Sequence, residues 1–240
     1  MDKNTKVDYG IDAPRAVRNI FIIGIILFLI GVSFRSVTLF GLHLEGGIFM
    51  VFGMIMMTES FLMVLYSKFG KRRHMRRMLK MVDWSGDETV LDVGTGRGLL
   101  MIGAAKKLDS GKAFGIDIWN PDYLSGNDRE YALSNSFAEG VFDKVEVLNY
   151  DARDMRFPDG NFDVVLSNLC LHNIVDKAGR EKACSEIHRV LKTGGVAVIS
   201  DYKYVKEYKK TFKKLGCAVS RKKSYYTTTF PPLKVIRVKK

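Results

Sequence analysis

The sequence predicts an α/β fold with a largely parallel sheet, preceded by two apolar helices. From residue 83 onward, short apolar strand patterns alternate with helix patterns, which is typical of a parallel sheet covered on both faces. A glycine-rich turn follows the first of these strands, and two long apolar segments precede them. A chain of 240 residues has room for one such domain and some appended material.

The two apolar segments predict a transmembrane helical hairpin over residues 19–66. Residues 19–34 carry no charge, and residues 46–66 carry one, Glu59, which is costly there and is expected to lie near an interface or to pair in a helix–helix contact, with a functional role as the alternative. A bilayer core requires roughly 20 helical residues, which the second segment provides. The first segment is short, so either its flanking arginines reach the interface or the helix continues toward Leu44. A monotopic hairpin is the alternative.

A signal peptide is a poor interpretation of the first segment, because the preceding residues include Asp2, Asp8 and Asp12 and no small-residue cleavage site follows. Residues 67–80 carry seven Lys or Arg and no acid, whereas the loop at 35–46 has a single basic residue. The positive-inside rule then puts residues 1–18 and the C-terminal body in the cytoplasm.

The basic residues at 67–82 predict an amphipathic juxtamembrane helix that lies along anionic headgroups. Met75, Met78, Leu79 and Met81 are interleaved with the charges and form the expected apolar face. The membrane surface is therefore the expected partner of this segment.

The formal net charge of +12 is unevenly distributed. Residues 81–202 carry thirteen basic and twenty acidic residues, whereas residues 203–240 carry thirteen basic and one acidic residue. An acidic body between basic ends disfavours nucleic acid as the partner, although an RNA-binding tail stays open. The three cysteines form no CxxC pair, which fits a reduced compartment and no zinc site.

The alternating patterns place each element of the sheet. Strands are expected at residues 89–93, 113–117, 144–149, 163–167, 196–200, 217–222 and 233–238. Helices are expected at residues 97–107, 128–139, 177–191 and 203–215, the last three stopped by glycines. The last two strands have no helix between them and are expected to form an antiparallel edge.

The turn after the first strand reads Gly94-Thr95-Gly96-Arg97-Gly98. A dinucleotide fingerprint requires glycine at the sixth position, where this chain has Leu99. Asp92, just before the turn, would repel a pyrophosphate but suits a cationic ligand end such as an ammonium. The turn therefore favours a ligand other than NAD.

Acidic residues also follow the next two strands. Asp117 comes about 20 residues after the turn, where a carboxylate accepts both hydroxyls of a ribose, and Ile118 offers an apolar face for a base. Asp151 and Ala152 follow the next strand, where a carboxylate and a backbone N–H can read an adenine. The expected ligand has an amino-acid end, a ribose and an adenine.

These residues resemble the motifs of the class I S-adenosylmethionine-dependent methyltransferases, particularly the small-molecule branch. The matching stretches are VLDVGTGRG, GIDI, NYDARDMRFPDGNFDVVLSNLCLHNI and RVLKTGGVAVISD, in order. The resemblance implies a Rossmann-like seven-stranded sheet with one antiparallel strand over residues 83–240 and S-adenosyl-L-methionine as the cofactor. It implies cofactor contacts from Asp92, Gly94, Thr95, Gly96, Gly98, Asp117, Ile118, Asp151, Ala152 and Asn168.

Methyl transfer from a sulfonium is an in-line displacement, so the protein mainly positions the reactants and excludes water. No metal is needed, and a base matters only where the acceptor loses a proton. The expected catalytic candidates are Asn168, His172 and Tyr202, with Asn173 nearby, and residues 119–128 have the length of a covering loop. A structural hydrogen-bonding role for His172 stays open.

The run Asn168-Leu169-Cys170-Leu171 lacks the prolines typical of adenine and cytosine methyltransferases, so nucleic acid is an unlikely acceptor. The apolar segments favour a small lipophilic acceptor at the cytoplasmic membrane face. Three alternatives stay open: a protein side-chain methyltransferase, a non-catalytic membrane sensor of S-adenosylmethionine, and a nicotinamide-dependent oxidoreductase.

Overall fold

The computed structural model describes residues 6–39 and 41–240. Two long helices, α1 (Pro14–Ser33) and α2 (Gly46–Leu65), pack antiparallel and are joined by a β-hairpin of β1 (Ser36–Leu39) and β2 (Leu42–Glu45). Pro14 suits the first turn of a helix, where no N–H partner is needed. Helix α1 ends at Ser33, so of the two options for the short first segment, continuation of the helix toward Leu44 is wrong.

Small residues bring α1 and α2 into close contact. A Cβ atom added to Gly53 would lie 2.6 Å from the carbonyl oxygen of Gly24, so only glycine permits this approach. The hydroxyl of Ser60 donates to the carbonyl of Val17 at 2.9 Å. Both helices are long and apolar enough to cross a membrane, and their outward side chains, such as Phe61, are exposed.

The basic segment continues α2 through a π-helical turn, Tyr66–Gly70, into α3 (Lys71–Leu79). Its apolar face does not point outward: Met78 and Leu79 are buried in the core of the following domain, and Met75 packs against that core. The expectation of a helix whose apolar face lies in the headgroups is therefore wrong. The α/β domain covers that face, while Arg72, Arg73 and Arg76 stay exposed.

The domain is built on a seven-stranded sheet with the order β5-β4-β3-β6-β7-β9-β8. Its strands are β3 (Thr89–Val93), β4 (Lys112–Ile116), β5 (Val145–Leu148), β6 (Phe162–Asn168), β7 (Leu191–Asp201), β8 (Ala218–Tyr225) and β9 (Leu233–Lys239). Strands β3 to β7 are parallel, and β9 pairs antiparallel with both β7 and β8. The predicted fold class, with one antiparallel strand, is confirmed.

Helices cover both faces of the sheet. They are α4 (Leu99–Ala105), α5 (Arg129–Ala138), α6 (Lys177–Val190) and α7 (Val205–Lys214). One core lies beneath α3, α4 and α5, and the other beneath α6 and α7. Strand β7 begins at Leu191, directly after α6, so Gly194 and Gly195 lie inside the strand rather than ending the helix as expected.

Candidate active site

One cavity of about 650 Å³ lies at the C-terminal ends of the parallel strands. In a parallel sheet these ends meet at one edge, which is where open α/β sheets bind ligands. The sequence-predicted residues that line the cavity are Asp92, Gly94, Thr95, Gly96, Asp117, Ile118, Asp151, Ala152, Asn168, His172, Asn173 and Tyr202. The fold thus brings together side chains from the ends of five strands.

The glycine turn supplies backbone conformations that other residues rarely adopt. Gly94 and Gly96 have φ values of 76° and 52°, in the left-handed region that favours glycine. A Cβ atom on Gly96 would lie 2.8 Å from Leu124 in the facing loop, and one on Gly94 would collide with Cys170. Gly98, with φ 85°, is the N-cap of α4 and does not line the cavity, so its role is to form the turn.

Asp92 is buried at the floor of the cavity. Its Oδ2 accepts hydrogen bonds from the hydroxyl of Thr95 at 3.0 Å and from the backbone N–H of Met101 at 2.9 Å. Its Oδ1 has no partner among the described residues, and neither does the buried Oδ1 of Asn168. Burial raises the pKa of Asp92 to about 7, against the lowering effect of these two hydrogen bonds. Two unpaired buried acceptors fit the ammonium of an amino-acid ligand.

Asp117 is fixed by the turn and by the loop that follows it. Its Oδ2 accepts from the N–H of Gly96 and its Oδ1 from the N–H of Trp119, both at 2.8 Å, and Asn127 donates to Oδ1 at 3.3 Å. The carboxylate keeps lone pairs for a diol. The neighbouring Ile118 is 54% exposed in the open cavity, where it offers its apolar face.

Asp151 lies at the cavity wall but has a partner of its own. Arg153 holds it through Nη2 at 2.6 Å and through Nε at 3.0 Å, and this pairing lowers the pKa of Asp151. Both side chains are partly exposed. An adenine amine would therefore share this carboxylate with Arg153.

His172 and Tyr202 stand together on the other side of the cavity, with ring centroids 4.6 Å apart. Nδ1 of His172 lies 2.8 Å from Oδ1 of Asp201, an ion-pair distance without the N–H alignment of a hydrogen bond. Asp201 is fully buried at the end of β7 and accepts from the backbone N–H groups of His172 and Tyr202. Sequence reasoning missed Asp201, although it ends the motif stretch RVLKTGGVAVISD.

The segment before α1 covers the cavity, which sequence reasoning also missed. Lys71 is buried and donates to the carbonyls of Tyr9 and Gly10, at 2.6 Å and 2.7 Å, and to Oδ1 of Asp12 at 3.3 Å. Arg97 of the glycine turn pairs with Asp8 at 2.6 Å. Lys71 lies in the basic segment and Arg97 in the glycine turn, and nothing in either stretch indicates that these cations hold the N-terminal segment.

The loop at residues 119–128 lies against the same segment. The N–H of Ala13 donates to the carbonyl of Tyr123 at 2.9 Å, and Arg15 pairs with Asp122 at 2.7 Å. Tyr123 and Leu124 line the cavity. The loop and the first turn of α1 therefore form one cover over the side of the cavity that contains Asp117, called the cofactor side below.

Comparisons with known proteins agree with this geometry. Residues 90–195 match the family model described as a methyltransferase domain. The ubiquinone/menaquinone biosynthesis C-methyltransferase UbiE of Geobacter sulfurreducens is 33% identical over 132 residues, which is 55% of this chain and 48% of that protein. The ajmaline N-methyltransferase of Rauvolfia serpentina is 37% identical over 110 residues, 46% of this chain and 34% of that protein.

A solved structure of a SAM-dependent methyltransferase from Aquifex aeolicus superposes with a TM-score of 0.54 and 21% identity, over 68% of this chain and 88% of that one. The predicted enzyme class, a SAM-dependent methyltransferase, and the predicted cofactor are confirmed for the domain. The chain spans about half the length of the curated relatives it matches.

Proposed function

We propose that this protein is a membrane-anchored methyltransferase that moves the methyl group of S-adenosylmethionine to a small lipophilic acceptor at the cytoplasmic membrane face. The observation that carries the proposal is the convergence of three strand-end carboxylates, Asp92, Asp117 and Asp151, on the glycine turn in one cavity. These three acceptors suit an ammonium, a ribose diol and an adenine amine. The cations that line the same cavity, Lys71, Arg97 and Arg153, are each paired with a carboxylate.

Each end of the cofactor has a matching group. Asp92 and Asn168 offer unpaired buried oxygens for the ammonium, Asp117 accepts from the ribose, and Ile118 contacts the base. When bound, S-adenosylmethionine supplies a methyl group that its sulfonium has already activated. The remaining task of the protein is to align the acceptor and exclude water.

Two parts of the chain perform that task. The segment held by Lys71 and the loop at 119–128 cover the cofactor side and limit access of water. His172 is placed to take the acceptor proton as the acceptor's electron pair bonds to the methyl carbon, and Asp201 supports the resulting imidazolium. The electron pair of the broken carbon–sulfur bond stays on sulfur, so S-adenosylhomocysteine is the coproduct.

The membrane assignment rests on the hairpin of α1 and α2. Both helices are about 30 Å long at 1.5 Å per residue, and only 11% of each apolar window is buried. An exposed apolar surface of this extent is a membrane or partner contact. Arg72, Arg73 and Arg76 stay exposed just after α2, which favours contact with anionic headgroups and a cytoplasmic domain.

The lipophilic acceptor is supported by the anchor and by one relative. UbiE carries a name that refers to ubiquinone and menaquinone biosynthesis and to methylation at carbon, whereas the relative from Rauvolfia is named for methylation at nitrogen. Because the two relatives are named for methylation at different atoms, they do not indicate whether this protein methylates carbon or nitrogen. Protein side-chain methylation and cofactor sensing without turnover are the competing functions.

The cofactor is tested by equilibrium binding of S-adenosylmethionine to detergent-solubilised protein, with NAD as the competing ligand. We expect Asp117→Ala to weaken binding about 10- to 100-fold, because a charged hydrogen-bond acceptor is lost. Asp143→Ala, an exposed charge-matched change far from the cavity, is the control. Preference for NAD, or equal binding by both variants, would contradict the proposal.

The acceptor class is tested by turnover. The full chain in lipid nanodiscs is incubated with methyl-labelled S-adenosylmethionine and, separately, with a membrane lipid extract or a membrane protein fraction. We expect label in the lipid extract. Label only in protein would support a side-chain methyltransferase, and tight binding without any labelled product would support a sensor.

A further inference from the structure

The cavity that contains the cofactor residues has a second wall built from the apolar helices. Ala16 and Ile20 of α1 and Met63 of α2 line the same cavity as Asp117 and His172. Ala16 and Ile20 are four residues apart, so they share one face of α1. Since Ile20 and Met63 belong to the candidate membrane spans, the cavity reaches from the cofactor site to the hairpin.

The contacts between the two helices place this wall of the cavity near the domain end of the hairpin. From Ser60, which bonds to Val17, to Gly46, which lies against Gly31, the helices are in close backbone contact. Met63 comes about one turn after Ser60 on the way to the domain. Ile20 comes about one turn after Val17 in the opposite direction, so Ile20 and Met63 flank the Ser60–Val17 contact and the cavity follows the surface of the hairpin near its domain end.

The remaining lining on the acceptor side is mostly apolar. Ile174 and Val175 follow His172, and Phe230 and Pro231 come from the connection between β8 and β9. Val175 is 91% exposed and extends the apolar lining to the mouth of the cavity. The cavity thus changes from carboxylates at the strand ends to aliphatic and aromatic side chains beside the hairpin.

We propose that the acceptor is an amphiphile drawn from the bilayer, with its reactive head beside His172 and an alkyl chain lying along Ile20 and Met63. This inference rests on the proposed function and narrows its substrate class. The cavity of about 650 Å³ must hold the cofactor as well as the reactive head, so we expect the chain to extend out of the cavity along the hairpin.

The test uses a photoactivatable probe with the full chain in lipid nanodiscs saturated with S-adenosylmethionine. The probe is a hexadecyl amphiphile with a diazirine at its head, and the butyl analogue serves as its short-chain counterpart. We expect the hexadecyl probe to label peptides that contain Ile174 or Phe230, in the cytoplasmic domain. Labelling by the butyl analogue is expected to be at least roughly tenfold weaker, because each buried methylene favours binding.

Two double variants test whether the chain lies along the hairpin residues that line the cavity. Ile20→Trp with Met63→Trp is expected to reduce labelling of the domain peptides at least roughly tenfold. Ile22→Trp with Leu62→Trp adds the same side chains to exposed positions of the same helices and is expected to leave labelling within about twofold. Binding of S-adenosylmethionine by both variants reports that the domain is folded.

The outcomes separate this inference from the proposed function. Equal labelling by the two probes, or unchanged labelling after the Ile20 and Met63 substitutions, overturns the chain path even if labelled methyl still appears in lipid. Chain-dependent labelling of the domain without any methyl transfer retains the path and overturns the enzymatic proposal. If the Ile20 and Met63 variant loses cofactor binding, the comparison of hexadecyl and butyl probes on the unaltered protein decides.

Discussion

His172 and Asp201 face each other at 2.8 Å between Nδ1 and Oδ1, and the carboxylate is fully buried while the ring lines the cavity. Asp201 also accepts from the hydroxyl of Tyr208 at 3.3 Å. A buried carboxylate this close to an imidazole restricts the orientation of the ring. Among the described cavity residues, His172 is our candidate for a general base and Asp201 for its positioning residue, on the strength of their proximity and not of an aligned hydrogen bond.

The first prediction concerns this pair. His172→Ala is expected to lower kcat for methyl transfer about 10²-fold or more, the usual contribution of general base catalysis, without changing the affinity for S-adenosylmethionine. Added imidazole is expected to restore part of the rate. Asp201→Asn should also lower kcat, because the ring loses the buried carboxylate behind it. If His172→Ala leaves the rate unchanged, His172 is not the general base and its role is structural.

The second prediction concerns the pH dependence of cofactor binding. The raised pKa of Asp92, about 7, means that its carboxyl is largely neutral below pH 7 when no ammonium is present. Binding the ammonium then requires loss of a proton, so affinity is expected to fall up to about tenfold per pH unit below 7 and to level off above it. Calorimetry across this range measures the slope, and Asp92→Asn should remove it.

The raised pKa of Asp92 also makes the stability of the fold depend on pH. Because the folded pKa of Asp92 lies above its ordinary value of 3.8, the folded protein without cofactor binds the extra proton. This contribution to the free energy of unfolding is fully present below pH 3.8 and is lost as the pH rises from 3.8 to about 7. Thermal unfolding should show the loss in the cofactor-free protein and a smaller loss with saturating S-adenosylmethionine. If Asp92→Asn shows the same change of thermal stability with pH, other titrating groups cause that change.

The third prediction concerns the cover. Lys71→Met leaves two carbonyls and Asp12 without their buried ammonium partner, which is expected to cost about 2–4 kcal/mol of folding free energy. Hydrogen exchange at Gly10, Ile11 and Asp12 should rise. Lys68→Met, an exposed neighbour, is the control. Unchanged exchange at these amides would show that Lys71 does not hold the segment.

The fourth prediction separates packing from nucleophilic chemistry at Cys170. Burial, together with the nearby carboxylates of Asp117, Asp201 and Asp92, raises the pKa of this thiol well above its ordinary range, so it stays neutral and is a poor nucleophile. Cys170→Ala should therefore retain kcat within about threefold. Gly94→Ala should instead lose cofactor affinity, because its Cβ would collide with Cys170. Loss of all turnover in Cys170→Ala would implicate the thiol in the chemistry.

Local patterns were sufficient to predict the sheet and to select candidate cofactor residues that line one cavity. The alternation of strand and helix, the turn from Gly94 to Gly98, and the carboxylates at strand ends are all short-range features. They fix which residues meet, because the ends of parallel strands share an edge. The boundaries of β7 were predicted less well, since Gly194 and Gly195 read as a helix stop but lie inside the strand.

Contacts between distant parts of the chain were not predictable in this way. Lys71 contacts Tyr9 and Gly10, which lie about 60 positions earlier in the sequence. Nothing in the sequence distinguishes this buried lysine from the exposed arginines beside it. The apolar face of α3 was visible from its spacing, but periodicity does not say whether lipid or protein covers that face. Asp201 lay in a recognised stretch, and only the fold shows that it stands behind His172.

The attachment of α1 to the loop at 119–128 has a consequence for the lipid environment. Through Arg15–Asp122 and Ala13–Tyr123, a change in the tilt of α1 moves the cover of the cofactor side. Helices longer than the hydrocarbon thickness tilt, and the tilt grows as the bilayer thins. In the proposed topology, the affinity for S-adenosylmethionine should therefore depend on acyl-chain length, and bilayer thickness becomes a physical regulator of a reaction that takes place outside the bilayer.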